Sequence, residues 1–420
     1  MPYREVRLLK ICFRFCSYVI EYSLNEGRLE KMNIIIVGAG ASGLAAGISL
    51  LRNGNDVTIL ERNSTSGKKL LLTGAGRCNY FNADQSINHY HSSNNSILTD
   101  IITKDNIELV ETFIKSLGIV PKIKDGYYYP FSNQALNVKE LLETTYLDLG
   151  GKFKFNYLVE KLEKKDDLFV INDDLTCDKL ILATGGKSYK MTGSDGMGYF
   201  LANSFHHKIV DVLPSLTSLV TKEKHNLKGV RLDARVSLYE DDRKIKEELG
   251  QVQFTDYGLS GICIFNLSYY AVKGLNTKRR ETIKLDLMPF DTKVNFANRR
   301  VRDTLLGFLP VKVINYIMPK LAISSATYYE ELSSLKKKEL TNMLKEMTFT
   351  ITSYKDFDFS QVCSGGVSLE EINPFTMESI LVKNLYITGE LLDVNGDCGG
   401  YNLTFAFLSG ILTSMEDYNA

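Results

Sequence analysis

The 420-residue chain has no tryptophan and only eight prolines, so no Pro-rich linker separates its parts. It has no run of 18 uncharged apolar residues, so no membrane-spanning helix is expected. Its seven cysteines, at 12, 16, 78, 177, 263, 363 and 398, form no C-x-x-C pair and no metal-ligand spacing. That excludes a disulfide framework and points to scattered thiols in a reducing cytoplasm. An excess of one charge is also missing, since 50 Lys+Arg balance 50 Asp+Glu. A strongly basic nucleic-acid binder and an acidic tail are thereby excluded, but a local patch is not. Five histidines (89, 91, 206, 207, 225) fall in polar or loop-like contexts, and no metal site is suggested. What is present is an ordinary globular mixture, 44% apolar and 24% charged, enough for two to three domains.

The stretch Leu8–Leu24 is apolar but interrupted by Lys10, Arg14 and Glu21, and no small-residue cleavage site follows. Met32 stands directly before the apolar run Asn33–Val37. Residues 1–31 are therefore expected to be translated upstream sequence or a disordered extension, with a genuine amphipathic arm as the alternative.

The chemistry begins at Ile34–Val37, which leads into Gly38-Ala-Gly40-Ala41-Ser42-Gly43 and the helical pattern Leu44–Arg52. A second apolar strand, Asp56–Leu60, ends at Glu61, 21 residues after Gly40. Gly38 permits a tight turn, Gly40 lets the backbone approach a pyrophosphate, and Gly43 lets helix and strand pack closely. The helix N-terminus, with Ala41 and Ser42 in its first turn, offers free N–H groups and partial positive charge to phosphates. Glu61 is expected to accept hydrogen bonds from ribose hydroxyls, with Arg62 beside it. A glycine turn used only for packing would not account for the acid at the next strand's end.

Two further strand-end turns follow, Lys179–Leu182 into Ala183-Thr184-Gly185-Gly186, and Leu385-Tyr-Ile-Thr-Gly389-Glu390. One fingerprint at the start with such elements spread behind it resembles the two-dinucleotide-binding class of FAD flavoproteins. That resemblance places Ala183–Gly185 near the cofactor, Gly389-Glu390 at its ribityl–phosphate region, and Val159 on a strand beside the adenine. Two look-alikes fail. A P-loop ending at Gly186-Lys187-Ser188 would need glycine where Ile181 stands, and a calcium loop from Asp393 would have Cys398 sixth and Thr404 twelfth.

Longer strings are more specific. They are Gly67-Lys-Lys69-Leu-Leu-Leu-Thr-Gly-Ala-Gly76-Arg77-Cys78-Asn79, Tyr129-Pro-Phe-Ser132, Thr192-Gly-Ser194, Phe254-Thr-Asp256-Tyr-Gly-Leu-Ser-Gly261 and Gly389-Glu-Leu-Leu-Asp-Val-Asn-Gly-Asp-Cys398-Gly399-Gly400-Tyr401-Asn402-Leu403. Together they resemble the BaiN/YhiN-type FAD-binding oxidoreductases, also labelled the aminoacetone oxidase family, from about Met32 onward. The resemblance implies an α/β fold: a Rossmann-like FAD-binding domain (32–191 and 354–420) interrupted by a β-barrel (192–290 and 345–353) that carries a small helical bundle (291–344). Alternating segments such as Arg231–Tyr239, Glu281–Leu287 and Thr348–Thr352 read as barrel strands, and Asn295–Leu306 and Glu330–Leu344 as helices. The sequence departs from the family where Asp256 replaces a common His and Ile262 a common Pro. An unperturbed Asp is not a poised acid at neutral pH, so a mechanism assigned to that His does not carry over.

The resemblance puts Lys69, Gly76, Arg77 and Asn79 near the flavin or pyrophosphate. The run Gly399–Leu403 opens a last helix, Leu403–Met415, whose N-terminus would favour reduced flavin. Proton-donor candidates are Cys78, Cys398, Tyr129 and Asp256, with packing as the competing reading for the cysteines and turn capping for Asp256. With one fingerprint there is no second domain for NAD(P)H, which is expected to dock transiently, the alternative being electrons that arrive or leave by another route. The leading expectation is reduction of a polarised C=C bond, in an enone-type small molecule or a ribosomal-RNA uridine. For RNA, the basic clusters 278–280, 299–302 and 336–338 are the candidate face. The alternatives are an oxidase of a small amine such as aminoacetone and a non-catalytic flavin-bound module.

Overall fold

Asn33–Val37 has no polar side chain after its first residue, as a strand covered on both faces requires. In the computed structural model, which describes residues 31–288 and 294–415, it is the middle strand of a five-stranded parallel sheet. The order is Leu385–Ile387, Lys179–Leu182, Asn33–Val37, Asp56–Glu61, Lys152–Phe155. In register, Ile34 lies between Lys179 and Val57. The expected extension 1–31 falls almost wholly outside the described residues.

The fingerprint helix, Ala41–Arg52, is buried from Ser42 to Leu50. The last helix, Tyr401–Leu412, packs on it so closely that a Cβ at Gly410 would lie 2.4 Å from the Ser42 carbonyl oxygen. Opposite ends of the chain thus form one layer against the sheet. An antiparallel ribbon, Ile209–Ser215 with Val362–Val367, marks where the insertion leaves and returns.

The insertion is a closed six-stranded barrel. Its order is Leu219–Thr221, Gly258–Ser260, Arg243–Phe254, Arg231–Glu240, Glu281–Asp286, Met347–Tyr354, the last pairing back to the first. Strand Glu281–Asp286 alternates buried and half-buried residues, so Glu281, Ile283 and Leu285 face the interior with Phe254 and Phe349. Helices Val301–Leu306, Val311–Lys320 and Ser334–Lys345 add to the same core.

Some boundaries differ from expectation. The barrel strands begin at Leu219, while residues 192–198, expected in the barrel, line the cavity described below. Val159 lies in a non-strand segment between Lys152–Phe155 and Leu162–Lys165, so its backbone is not in a ladder. Helix Ile262–Asn276 was not anticipated because it is buried on most sides and shows no polar stripe. Among the described residues no helix is long and apolar enough to cross a membrane.

Candidate active site

A cavity of about 620 Å³ opens at the C-terminal ends of the sheet strands, where ligands bind in open α/β sheets. The three fingerprint glycines answer to different demands. Gly38 has φ +109°, and a Cβ there would sit 2.4 Å from the Ala183 carbonyl oxygen. A Cβ at Gly43 would sit 2.0 Å from the Gly38 oxygen, so both are required by the protein's own packing. Gly40 differs. Its φ of −81° suits any residue, and a Cβ would meet nothing within 4 Å. The missing side chain serves neither backbone nor packing and leaves room for a ligand. The helix it caps has no side-chain cap and no acid in its first turn, so its N–H groups remain available to an anion. These residues fit a dinucleotide pyrophosphate.

Glu61 is buried at the end of its strand. Its Oε2 accepts from the Ala39 N–H (2.9 Å), and Oε1 from the Asn63 N–H (2.8 Å) and Nδ2 (2.7 Å). The carboxylate is thereby aimed into the cavity with one lone pair of Oε2 left for a hydroxyl. Beside it Arg62 pairs with Asp195 at 2.6 Å, and Asn63 Nδ2 donates to the Thr192 carbonyl at 3.0 Å. These two links hold the 189–196 loop across this end of the cavity.

Midway, Lys69 Nζ lies 2.6 Å from Glu390 Oε2, and Glu390 Oε1 accepts from the Cys363 N–H at 2.9 Å. Arg77 lies over the Tyr129 ring, 5.0 Å from its centroid. The Asn79 amide, oriented to donate, meets the Tyr128 and Phe81 carbonyls. Ala41, Ser42, Val159, Ala183, Thr184 and Gly185 also line the wall. So do Cys398, Gly399, Gly400, Asn402 and Leu403 from the last turn. Gly43, Gly76, Cys78, Gly389 and Tyr401 stand outside the lining. Gly400 has φ +100°, and a Cβ there would come within 2.7 Å of the Phe81 backbone. Its glycine is explained by that crossing as well as by any ligand.

The four proton-donor candidates separate. Cys78 is fully buried away from the wall, and burial pushes its thiol up to about 12. Asp256 is exposed at the turn joining two barrel strands and lies 2.9 Å from Lys228, outside the cavity. Lys228 holds its carboxyl below the usual range, so the structure offers no route by which it would act as an acid in the cavity. Tyr129 and Cys398 do reach the wall, and burial pushes the Cys398 thiol upward, which keeps it protonated.

The residues missed in the sequence are Tyr127, His89, His91, Asp397 and Lys246. Tyr127 lines the wall, its ring packed against Gly399. The short strands Tyr90–His91 and Asn395–Gly396 pair antiparallel, and the Asp397 N–H donates to the His89 carbonyl at 2.9 Å. That register brings both imidazoles to one carboxylate. His89 Nδ1 is 3.1 Å from Asp397 Oδ2, and His91 Nε2 is 2.9 Å from Oδ1. Lys246 Nζ approaches Oδ2 to 3.6 Å from a barrel strand. The only local signal was His-x-His at strand spacing; Asp397 lies 306 residues beyond His91.

The model of the HI0933-like protein Rossmann domain matches residues 32–416. The chain belongs to that family. It is 36% identical over 395 residues to a 3-dehydro-bile acid delta(4,6)-reductase of Clostridium scindens, covering 90% of this chain and 97% of that one. It is 27% identical over 401 residues to a ribosomal RNA dihydrouridine synthase of Haemophilus influenzae, covering 91% and 97%. An Escherichia coli ribosomal RNA dihydrouridine synthase is similar at 27% over 404 residues, covering 91% and 96%. The protein is thus a FAD-dependent oxidoreductase with a Rossmann-like domain and an inserted barrel.

Proposed function

We propose that the protein reduces a polarised C=C bond in a small-molecule enone in the cytoplasm, with NAD(P)H as reductant. The observation that carries this reading is charge compensation on the insertion. Arg279 pairs with Asp241 at 3.0 Å, Arg280 with Asp242, and Lys336 with Glu339 at 2.8 Å. An RNA substrate needs uncompensated cations tracking its phosphates, and the two arginines of the first cluster and one lysine of the third are paired locally instead. The cavity wall near Cys398 instead offers Tyr127, Tyr129, Ile262, Leu216 and Val362, an aromatic and aliphatic surface suited to a flat apolar ligand. The similarity to a bile acid reductase points the same way.

Bound FAD supplies two-electron hydride chemistry at this wall. The chain's part is to hold and to protonate. The Gly38–Gly43 turn and the helix N–H groups take the pyrophosphate, Glu61 takes a ribose hydroxyl, and Lys69 with Glu390 braces the middle. Of the wall residues, Tyr127, Tyr129 and Cys398 are the ones that would give the proton that balances hydride addition. Nicotinamide would visit the same cavity.

The reading is tested by anaerobic titration of the FAD-loaded protein with NADH and NADPH, followed by stopped-flow mixing with a steroid enone, uridine-containing ribosomal RNA or oxygen. Rapid bleaching and enone-driven reoxidation are expected. Reoxidation by the RNA and not by enones would overturn the substrate assignment. Reoxidation only by oxygen, with turnover of an amine, would make it an oxidase.

A further inference from the structure

The Asp397 cluster has no part in the steps above, yet it is built with care at the cavity wall. Asp397 is 3% exposed and carries three cationic or ionisable partners. Both imidazoles are pinned by stacking, His89 on Tyr401 (centroids 4.6 Å apart, 15° between planes) and His91 on Tyr269 (4.4 Å, 18°). His89 stands between the wall residue Asp397 and water. One ring nitrogen meets buried Asp397, and the other lies 3.2 Å from Asp84, whose side chain is 64% exposed. Beyond Asp397 stand Lys246 and Glu248, 3.7 Å apart, and Glu248 accepts from Asn266 Nδ2 at 3.1 Å.

The charges facing His89 are thus Asp397 and Asp84 in contact, and Lys246 and Glu248 one shell behind; Tyr401 covers its ring. Burial alone would raise the Asp397 carboxyl, but hydrogen bonds from His89 and His91 and the charges of His91 and Lys246 hold it at about 2. It remains an anion throughout the working range. The hydrogen bond to Asp397, aided by Asp84, shifts His89 in the opposite sense, above its ordinary 6.5. His89 is therefore the imidazole of this cluster that joins the buried carboxylate to solvent.

We propose that His89 is the proton-loading site of the flavin, taking up a proton when the cofactor is reduced and releasing it on reoxidation, while Asp397 and Lys246 stay as fixed charges. The balance is simple. Hydride delivered by a nicotinamide brings two electrons, one proton and one net negative charge into the cavity. A proton entering from water past Asp84 onto His89 cancels that charge. When hydride and a proton pass to a double bond, the cavity returns to its starting charge. The inference depends on FAD in the cavity and not on which double bond is reduced.

The test is the pH dependence of the bound flavin's midpoint potential, measured by dye-linked reduction with dithionite between about pH 5.5 and 9. One extra proton per two electrons is a tenfold change per pH unit, or at most about 30 mV of added slope, confined to the window between the His89 titrations of the oxidised and reduced protein. His89→Gln should abolish that added slope while keeping the bound flavin's spectrum. Lys246→Met should lower the potential at every pH and leave the slope change in place. NMR of the wild-type protein, with only five histidines, decides the matter without a variant. His89 should titrate at higher pH in the reduced protein than in the oxidised one, by half a unit or more. An identical His89 titration in both redox states, or an unchanged slope in a flavin-bound His89→Gln protein, would overturn the proposal.

Discussion

The cavity wall and the barrel each bury a carboxylate, and they treat it in opposite ways. Asp397 meets two imidazoles and an ammonium and stays ionised down to about pH 2. Glu281, 1% exposed on the inward face of its barrel strand, has both oxygens without a partner. It is wedged against Gly274, where a Cβ would stand 1.8 Å from Oε1. Burial, and then the charges of Glu240 and Asp241, push it up to about 7. Burial is common to both; the partners decide the sign. In the cavity the partners stabilise the charge, and in the barrel their lack favours the proton.

The strongest way to break this contrast is Asp397→Asn. It leaves Lys246 and the histidines facing a neutral amide, so urea unfolding at pH 7 should show a loss of about 2–4 kcal/mol. The depressed carboxyl contributes stability that is present above its unfolded value near 4 and fades as pH falls toward 2, so wild type and variant should converge in acid. Glu281→Gln should act the other way. Between 4.5 and about 7 the folded chain holds a proton that the unfolded chain has lost, so wild-type stability falls as pH rises through that window. The amide mimics the protonated acid; the variant should match wild type at pH 5 and exceed it by about 1–3 kcal/mol at pH 8 in thermal unfolding.

A third experiment separates what the cavity does for a ligand from what it does for the fold. Gly40→Ala should leave the melting temperature of the FAD-free protein within about 1 °C of wild type, yet weaken FAD binding at least tenfold, roughly 1.4 kcal/mol, by fluorescence titration. Equal FAD affinity would show that the open space at Gly40 is not the pyrophosphate's. Asp195→Thr is expected to do least. It removes an ion pair with Arg62 that is partly exposed on both sides, and should cost no more than about 1 kcal/mol while speeding FAD release.

What could be read in the chain followed the range of the interactions. Gly38, Gly40, Gly43 and Glu61 lie within one strand–turn–helix–strand unit, so their spacing alone specified the unit's geometry. Alternation over Glu281–Leu287 marked a barrel strand and already put Glu281 on the face of Ile283 and Leu285. The barrel's place in the fold came from whole motifs, because no local pattern tells which strands close on which. The Asp397 cluster was invisible for the same reason, as its members come from the short strand Tyr90–His91 and the residue before it, a barrel strand and the turn before the last helix. Asp256 misled because its motif is local while its position, at the tip of a barrel turn beside Lys228, is not.

The ladder between Tyr90–His91 and Asn395–Gly396 has a consequence for how the protein is made. The glycine turn leaves the ribosome well before the edge strand Leu385–Ile387, the Asp397 wall and the helix Tyr401–Leu412. At about 5–20 residues per second, the 306 residues from His91 to Asp397 take roughly 15–60 s to synthesise. Through that interval the nascent chain carries the glycine turn and His91 without the carboxylate that organises the facing wall.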